Sequence, residues 1–110
     1  MIININLKLI NFYYKMLGGF GNAQDADDTV KALAKEMKGK AETALGETYG
    51  EFEAVKFTKQ VVNGTNYLIK VKVGDGKYVH LKVHVPLPTK NAPNELWEQE
   101  KGKTLEDPLK

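Results

Sequence analysis

Between Phe52 and Val85 apolar and polar positions alternate with a period of two, the mark of strands with one buried face. Tyr67, Ile69, Val71 and Val73 alternate with Leu68, Lys70 and Lys72. Val79, Leu81, Val83 and Val85 alternate with Tyr78, His80, Lys82 and His84. Upstream, Ala54, Val55, Phe57 and Val61 change phase at Ala54–Val55, which predicts a β-bulge. Asn63-Gly64 predicts a tight hairpin, because both residues tolerate positive φ. Gly74-Asp75-Gly76 predicts a second turn. Pro86, Pro88 and Pro93 end the next strand in a rigid loop. Residues 95–107 are polar, with Leu96 and Trp97 as anchors, and predict a last strand there.

Before the strands the period lengthens. Val30, Leu33, Ala34, Met37, Ala41, Ala44 and Leu45 recur three or four residues apart and predict one apolar helix stripe. Asp25, Asp27 and Asp28 are expected to crowd its first turn, where side-chain oxygens cap free amides. Gly46 is the expected stop, and Gly39 falls on the polar side. Gly18, Gly19 and Gly21 predict a flexible approach to the helix. One helix and an antiparallel meander, each apolar on one face, can bury those faces only against each other. The predicted fold is α+β: an antiparallel sheet of four to five strands around one long helix.

Residues 1–15 differ from the rest. Ile3, Ile5, Leu7 and Leu9 alternate with Asn4, Asn6 and Lys8 in a strand-like pattern. The Asn residues and Lys8 interrupt it too early for a membrane span, which needs about 20 apolar residues. No Lys or Arg precedes Lys8, so a secretory leader is disfavoured as well. The expected division is an extension over 1–15 and a domain over 16–110, with Met16 as a plausible second start.

Composition narrows the function classes. With 110 residues, 42% apolar and 27% charged, the chain fits one globular domain. The absence of cysteine excludes a disulfide framework, a thiolate metal site and a thiol nucleophile. All 16 basic residues are Lys, against 14 acids. That balance does not point to nucleic acid, and missing Arg removes the usual bidentate grip on phosphate or guanine. Ser is absent too, so only Thr could serve as a hydroxyl nucleophile.

Metal and nucleotide motifs are weak. His80 and His84 share a strand face about 13 Å apart, too far for one metal, and are expected as exposed residues over the sheet. Gly102-Lys103-Thr104 is like the end of a P-loop, but Trp97 stands where its first Gly belongs. Gly19-Phe20-Gly21 lacks the third Gly of a dinucleotide fingerprint, because Gln24 replaces it. No cofactor or metal is expected.

Three features remain: Met16-Leu17-Gly18-Gly19, the hairpin Gln60-Val61-Val62-Asn63-Gly64 running on to Tyr67, and the loop Val85-Pro86-Leu87-Pro88. In a meander behind one helix, the hairpin and the Pro loop fall at one end of the sheet, which the chain before the helix can reach. Leu17, Val61, Val62 and Leu87 would form an exposed apolar edge of the kind that marks a binding surface.

Together these residues resemble a cystatin, of the stefin branch. Gln60-Val61-Val62-Asn63-Gly64 is similar to the family's Gln-Val-Val-Ala-Gly hairpin with one change. Thr65-Asn66-Tyr67, Gly74-Asp75 and His80-Leu81-Lys82-Val83 continue the stefin pattern. Leu87-Pro88 matches the second loop, and Gly18-Gly19 the conserved Gly of the N-terminal trunk. The resemblance runs from about Met16 to Leu109.

The resemblance implies a reversible, tight-binding inhibitor of papain-like cysteine proteases of cathepsin type, not an enzyme. It implies that Met16 and Leu17 occupy unprimed pockets and that Gly18 and Gly19 let the trunk bend away. Gln60, Val61, Val62, Asn63 and Gly64 would then sit over the centre of the cleft, and Leu87 and Pro88 over the primed side. Asn63 replaces the usual Ala, and Trp97 and Gln99 alter the last strand where stefins carry a Tyr. Asn63-Gly64-Thr65 is also a glycosylation sequon, and a glycan there would block the tip. With the missing cysteines, that argues for a cytoplasmic protein. A monomer is expected, with a domain-swapped dimer as the variant, and no membrane or nucleic-acid partner. The rival reading is a non-inhibitory binding module on the same scaffold.

Overall fold

A computed structural model describes residues 21–109. The predicted extension and the trunk residues Met16, Leu17, Gly18 and Gly19 lie outside the described residues. Five antiparallel strands form one sheet whose spatial order follows the chain. They are β1 (Gln24–Asp25), β2 (Glu53–Val61), β3 (Thr65–Gly74), β4 (Lys77–Val85) and β5 (Glu95–Lys103). The helix α1 (Asp28–Leu45) lies between β1 and β2 in sequence. The α+β fold expected from the apolar pattern is present.

Both helix ends are closed by groups the sequence supplies. The Val30 amide donates to Asp27 Oδ1 at 2.9 Å, which makes Asp27 the N-cap. Such a cap is worth about 1 kcal/mol over Ala. Asp28 adds negative charge in the first turn. At the other end Gly46 adopts φ 68°, and the Gly46 and Glu47 amides donate to the Glu42 carbonyl. Asp25 departs from expectation. It lies in β1 and pairs with Lys56 across the ladder, two residues before the cap.

Val30, Leu33, Ala34, Met37 and Ala41 of α1 pack onto Ala54, Phe57, Ile69, Val71, Val79, Leu81 and Val83 of the sheet. Each large aliphatic side chain buried this way contributes roughly 1.5–3 kcal/mol. Leu45 is partly buried against this core, whereas Ala44 is exposed at the rim of the stripe. The predicted bulge is present: the β2–β3 register shifts between Ala54 and Lys56. It lets both Ala54 and Phe57 face the helix.

The opposite face of the sheet is not fully open. Thr58, Leu68, Lys70, Tyr78 and His80 are buried there. Lys70, 2% exposed, donates from Nζ to the carbonyls of Thr104 (2.9 Å), Leu105 and Asp107 (2.6 Å). One ammonium thereby holds the C-terminal segment against the middle strand, and burial lowers its pKa below the usual lysine value. His80 is 8% exposed and its Nε2 has no partner, so the expectation of an exposed histidine is corrected. Period-two reasoning placed it on the right face but did not foresee what covers that face.

Candidate functional site

Hairpin β2–β3 and the loop after β4 meet at one end of the sheet. The hairpin closes symmetrically, with Val61 opposite Thr65 and the Val62 amide donating to the Gly64 carbonyl at 2.9 Å. Asn63 is therefore the apex. Asn63 takes φ 42° and Gly64 φ 112°, as the Asn-Gly pair predicts. Gln60 pairs with Asn66 just behind the turn and is half-buried. Val61 is 72% exposed, and Val62 and Asn63 are exposed as well.

The second loop leaves β4 at Val85, which pairs with Thr65. Leu87 is extended and 39% exposed, and Pro88 opens a short 3₁₀ turn, Pro88–Lys90. Proline fixes φ there, so the loop has few alternatives. Gly64 is where the two loops touch. A Cβ on Gly64 would stand 2.7 Å from the Val85 carbonyl oxygen, 3.2 Å from His84 Cε1 and 3.4 Å from Pro86 Cα. Glycine is thus required twice at this position, by positive φ and by space.

The described chain begins beside the same end. The Gly21 amide donates to the Lys59 carbonyl at 3.4 Å, and Thr58 Oγ1 donates to the Gly21 carbonyl at 2.5 Å. Lys59 is two residues from Val61. Exposed Val61, Val62 and Leu87 thus share one end of the sheet with the start of the described chain. Among the described residues the edge carries no acid–base pair and no nucleophile with a base beside it. It can bury apolar surface and present backbone, and that is all its chemistry.

A cystatin domain model matches residues 18–109. The chain belongs to the cystatin family. Its relatives place it in the stefin branch. It is 43% identical over 94 residues to Cystatin-A1 of Sus scrofa, covering 86% of this chain and 91% of that protein. To Stefin-C of Bos taurus it is 41% identical over 93 residues, covering 84% and 92%. To Leukocyte cysteine proteinase inhibitor 1 of Sus scrofa it is 37% identical over 94 residues, covering 86% and 91%.

This cystatin has a feature behind its hairpin that the sequence reading did not assemble. His84 is half-buried on the outer face, opposite Asn66 in the ladder, and its Nδ1–H donates to Asn66 Oδ1 at 2.6 Å. Trp97 stacks on a face of the imidazole, with ring centroids 4.3 Å apart and planes 10° from parallel. The pairing of Asn66 with His84 follows from the hairpin register. Trp97 was not predictable in this place, because the β4–β5 register shifts between Lys82 and Val83. Among the described residues no group of three His, Cys, Asp or Glu is placed to hold a metal ion. No helix among them is long and apolar enough to cross a membrane.

Proposed function

We propose that this cystatin is a reversible, tight-binding competitive inhibitor of papain-like cysteine proteases, docked as a wedge in the protease cleft. The observation that carries this reading is the preformed apolar edge. Val61, Val62 and Leu87 stand exposed on two loops that Gly64 allows to touch. The name of one pig relative, a cysteine proteinase inhibitor, supports the target class.

Gln60, Val61, Val62, Asn63 and Gly64 cover the centre of the cleft, and Leu87 and Pro88 its primed side. Met16 and Leu17 fill unprimed pockets, and Gly18 and Gly19 let the trunk turn away. Because hairpin and Pro loop are already ordered, docking costs little conformational entropy. The apolar edge contributes roughly 25 cal/mol per Å² buried. The reactive thiol belongs to the partner, and the inhibitor offers it no bond in cleavable geometry. The physiological target is of cathepsin type, the protein is cytoplasmic, and it acts as a monomer. The domain spans 16–110, and residues 1–15 are an extension. Strained hairpins invite exchange between chains, so the Asn63 turn is the hinge of any swapped dimer.

Titration of papain with the purified chain tests the reading. Activity is expected to fall in proportion to added chain, and intact chain to be recovered from the complex. Full papain activity at micromolar folded chain would overturn it. A second measurement isolates the trunk. A chain starting at residue 20 is expected to dissociate faster, with association nearly unchanged; an unaltered off-rate would show that Met16–Gly19 make no contact.

A further inference from the structure

Inhibition by a two-loop wedge requires the loops to hold their relative position before they meet the protease. Gly64 permits their contact but does not enforce it. The His84 ring lies where the two loops meet. Its Cε1 is one of the three atoms nearest the Gly64 position, so the imidazole is packed under the hairpin tip. The ring belongs to β4, one residue before Val85, where the second loop starts. It is fixed on two sides. Asn66 of β3 accepts from Nδ1 at the ring edge, and Trp97 of β5 covers one face. Asn66 is 7% exposed, so its amide has little water to turn to. Trp97 is in turn tied by its Nε1–H to Glu95 Oε1 at 3.3 Å.

Three strands thus grip one side chain at the root of both loops. We propose that His84, clamped between Asn66 and Trp97, is a positioning residue that locks the hairpin tip and the Leu87-Pro88 loop into a single docking unit. The proposal rests on the wedge reading for its inhibitory consequence. Its structural core, a brace on the hairpin, stands in the free protein. Trp97 acts through His84. Nearly half of its surface is exposed, at 48%, which suits a backing plate better than a core residue. Parallel stacking at this spacing also gives the clamp a shape requirement: a flat ring fits, a branched aliphatic chain does not.

Two readouts separate the brace from the wedge. The first uses the free protein. In Trp97→Ala and His84→Ala the Val62 amide, bonded to the Gly64 carbonyl, is expected to exchange with solvent about three- to tenfold faster, with core amides of α1 unchanged. The second uses papain. Both variants are expected to inhibit about three- to tenfold more weakly, chiefly through slower association, because fewer molecules hold the loops ready. Trp97→Phe is expected to restore both readouts and Trp97→Leu neither. The double variant is expected to be no worse than the poorer single one, as for two parts of one device. Equal Val62 exchange in all variants, or rescue by Leu as good as by Phe, would overturn the brace. If the wild-type chain fails to inhibit papain while Val62 exchange responds as expected, the wedge reading falls and the brace stands.

Discussion

Gly64→Ala is expected to weaken protease inhibition by about thirty- to a hundredfold. The backbone at Gly64 has φ 112°, a conformation that side chains resist at a cost of roughly 1–3 kcal/mol. The added methyl would also lie 2.7 Å from the Val85 carbonyl, a fixed main-chain atom with little room to yield. The hairpin must either keep its shape under strain or tilt away from the Pro loop. Tilting is cheaper, and it separates the two halves of the wedge. A loss of about 2–3 kcal/mol in docking corresponds to the stated factor, at 1.4 kcal/mol for each tenfold. Gly76→Ala is the control. Gly76 has φ 65°, but nothing lies within 4 Å of its would-be Cβ, and it sits in the turn at the far end of the sheet. That variant is expected to lose about 1 kcal/mol of stability and to inhibit normally. Inhibition constants measured beside urea unfolding decide the matter: a Gly64→Ala chain that inhibits like wild type removes this glycine from the site.

His80 makes the fold sensitive to mild acid. Burial, reinforced by Lys70 and Lys103, pushes its pKa down from 6.5 to about 4, with Glu100 and Asp107 opposing only in part. The folded state holds His80 neutral, while the unfolded chain takes up the proton near pH 6.5. The stability this provides is complete above pH 6.5, declines as pH falls, and is gone once pH passes about 4. By pH 5 the loss is about 2 kcal/mol, integrated over the window between the two values. His80→Leu removes the titrating group from the same buried position. Its unfolding free energy between pH 7 and pH 5 is expected to change by less than half as much as that of wild type. Parallel pH curves for the two proteins would show that His80 is not the origin of the acid loss. The comparison is one of slopes, so a general change in stability on substitution does not affect it.

Much of this arrangement could be read from one-dimensional patterns, because the patterns report local physics. Alternation in Tyr67–Val73 and Val79–Val85 reflects which face of a strand meets the helix, and each strand obeys it. The phase slip at Ala54–Val55 gave the bulge for the same reason. Asn63-Gly64 gave the turn, since positive φ restricts residue choice so strongly. The failures are equally physical. Gln24–Asp25 form a strand through main-chain pairing with Lys56 and Phe57, and main-chain pairing leaves no hydropathy trace. Asp25 consequently serves the ladder instead of the cap. The covering of His80 depends on a segment more than twenty residues later, brought back by a lysine that the pattern marks as surface. Trp97 reached His84 through a register shift in β5, where the alternation is too weak to reveal the slip. The surface at the tip was legible only through motif order, since Val61, Val62 and Leu87 are apolar residues that break the rule of burial.

The sheet lists its strands in the order in which the chain supplies them. Every ladder from β2 to β5 therefore closes a short loop, first at Asn63, then at Asp75-Gly76, then around Pro88. Short closures cost little entropy, so such a chain reaches its native topology quickly compared with β proteins whose partners are distant in sequence. Beside the β1–β2 pairing across the helix and the Lys101 bonds to Leu45 and Glu47, the Lys70 bonds to the C-terminal carbonyls are long in range, spanning 34 to 37 residues. They can form only after β3, β4 and β5 are in place. The docking of residues 104–107 is thus expected late in folding, and a time-resolved probe placed there would report completion of the β3–β5 part of the sheet.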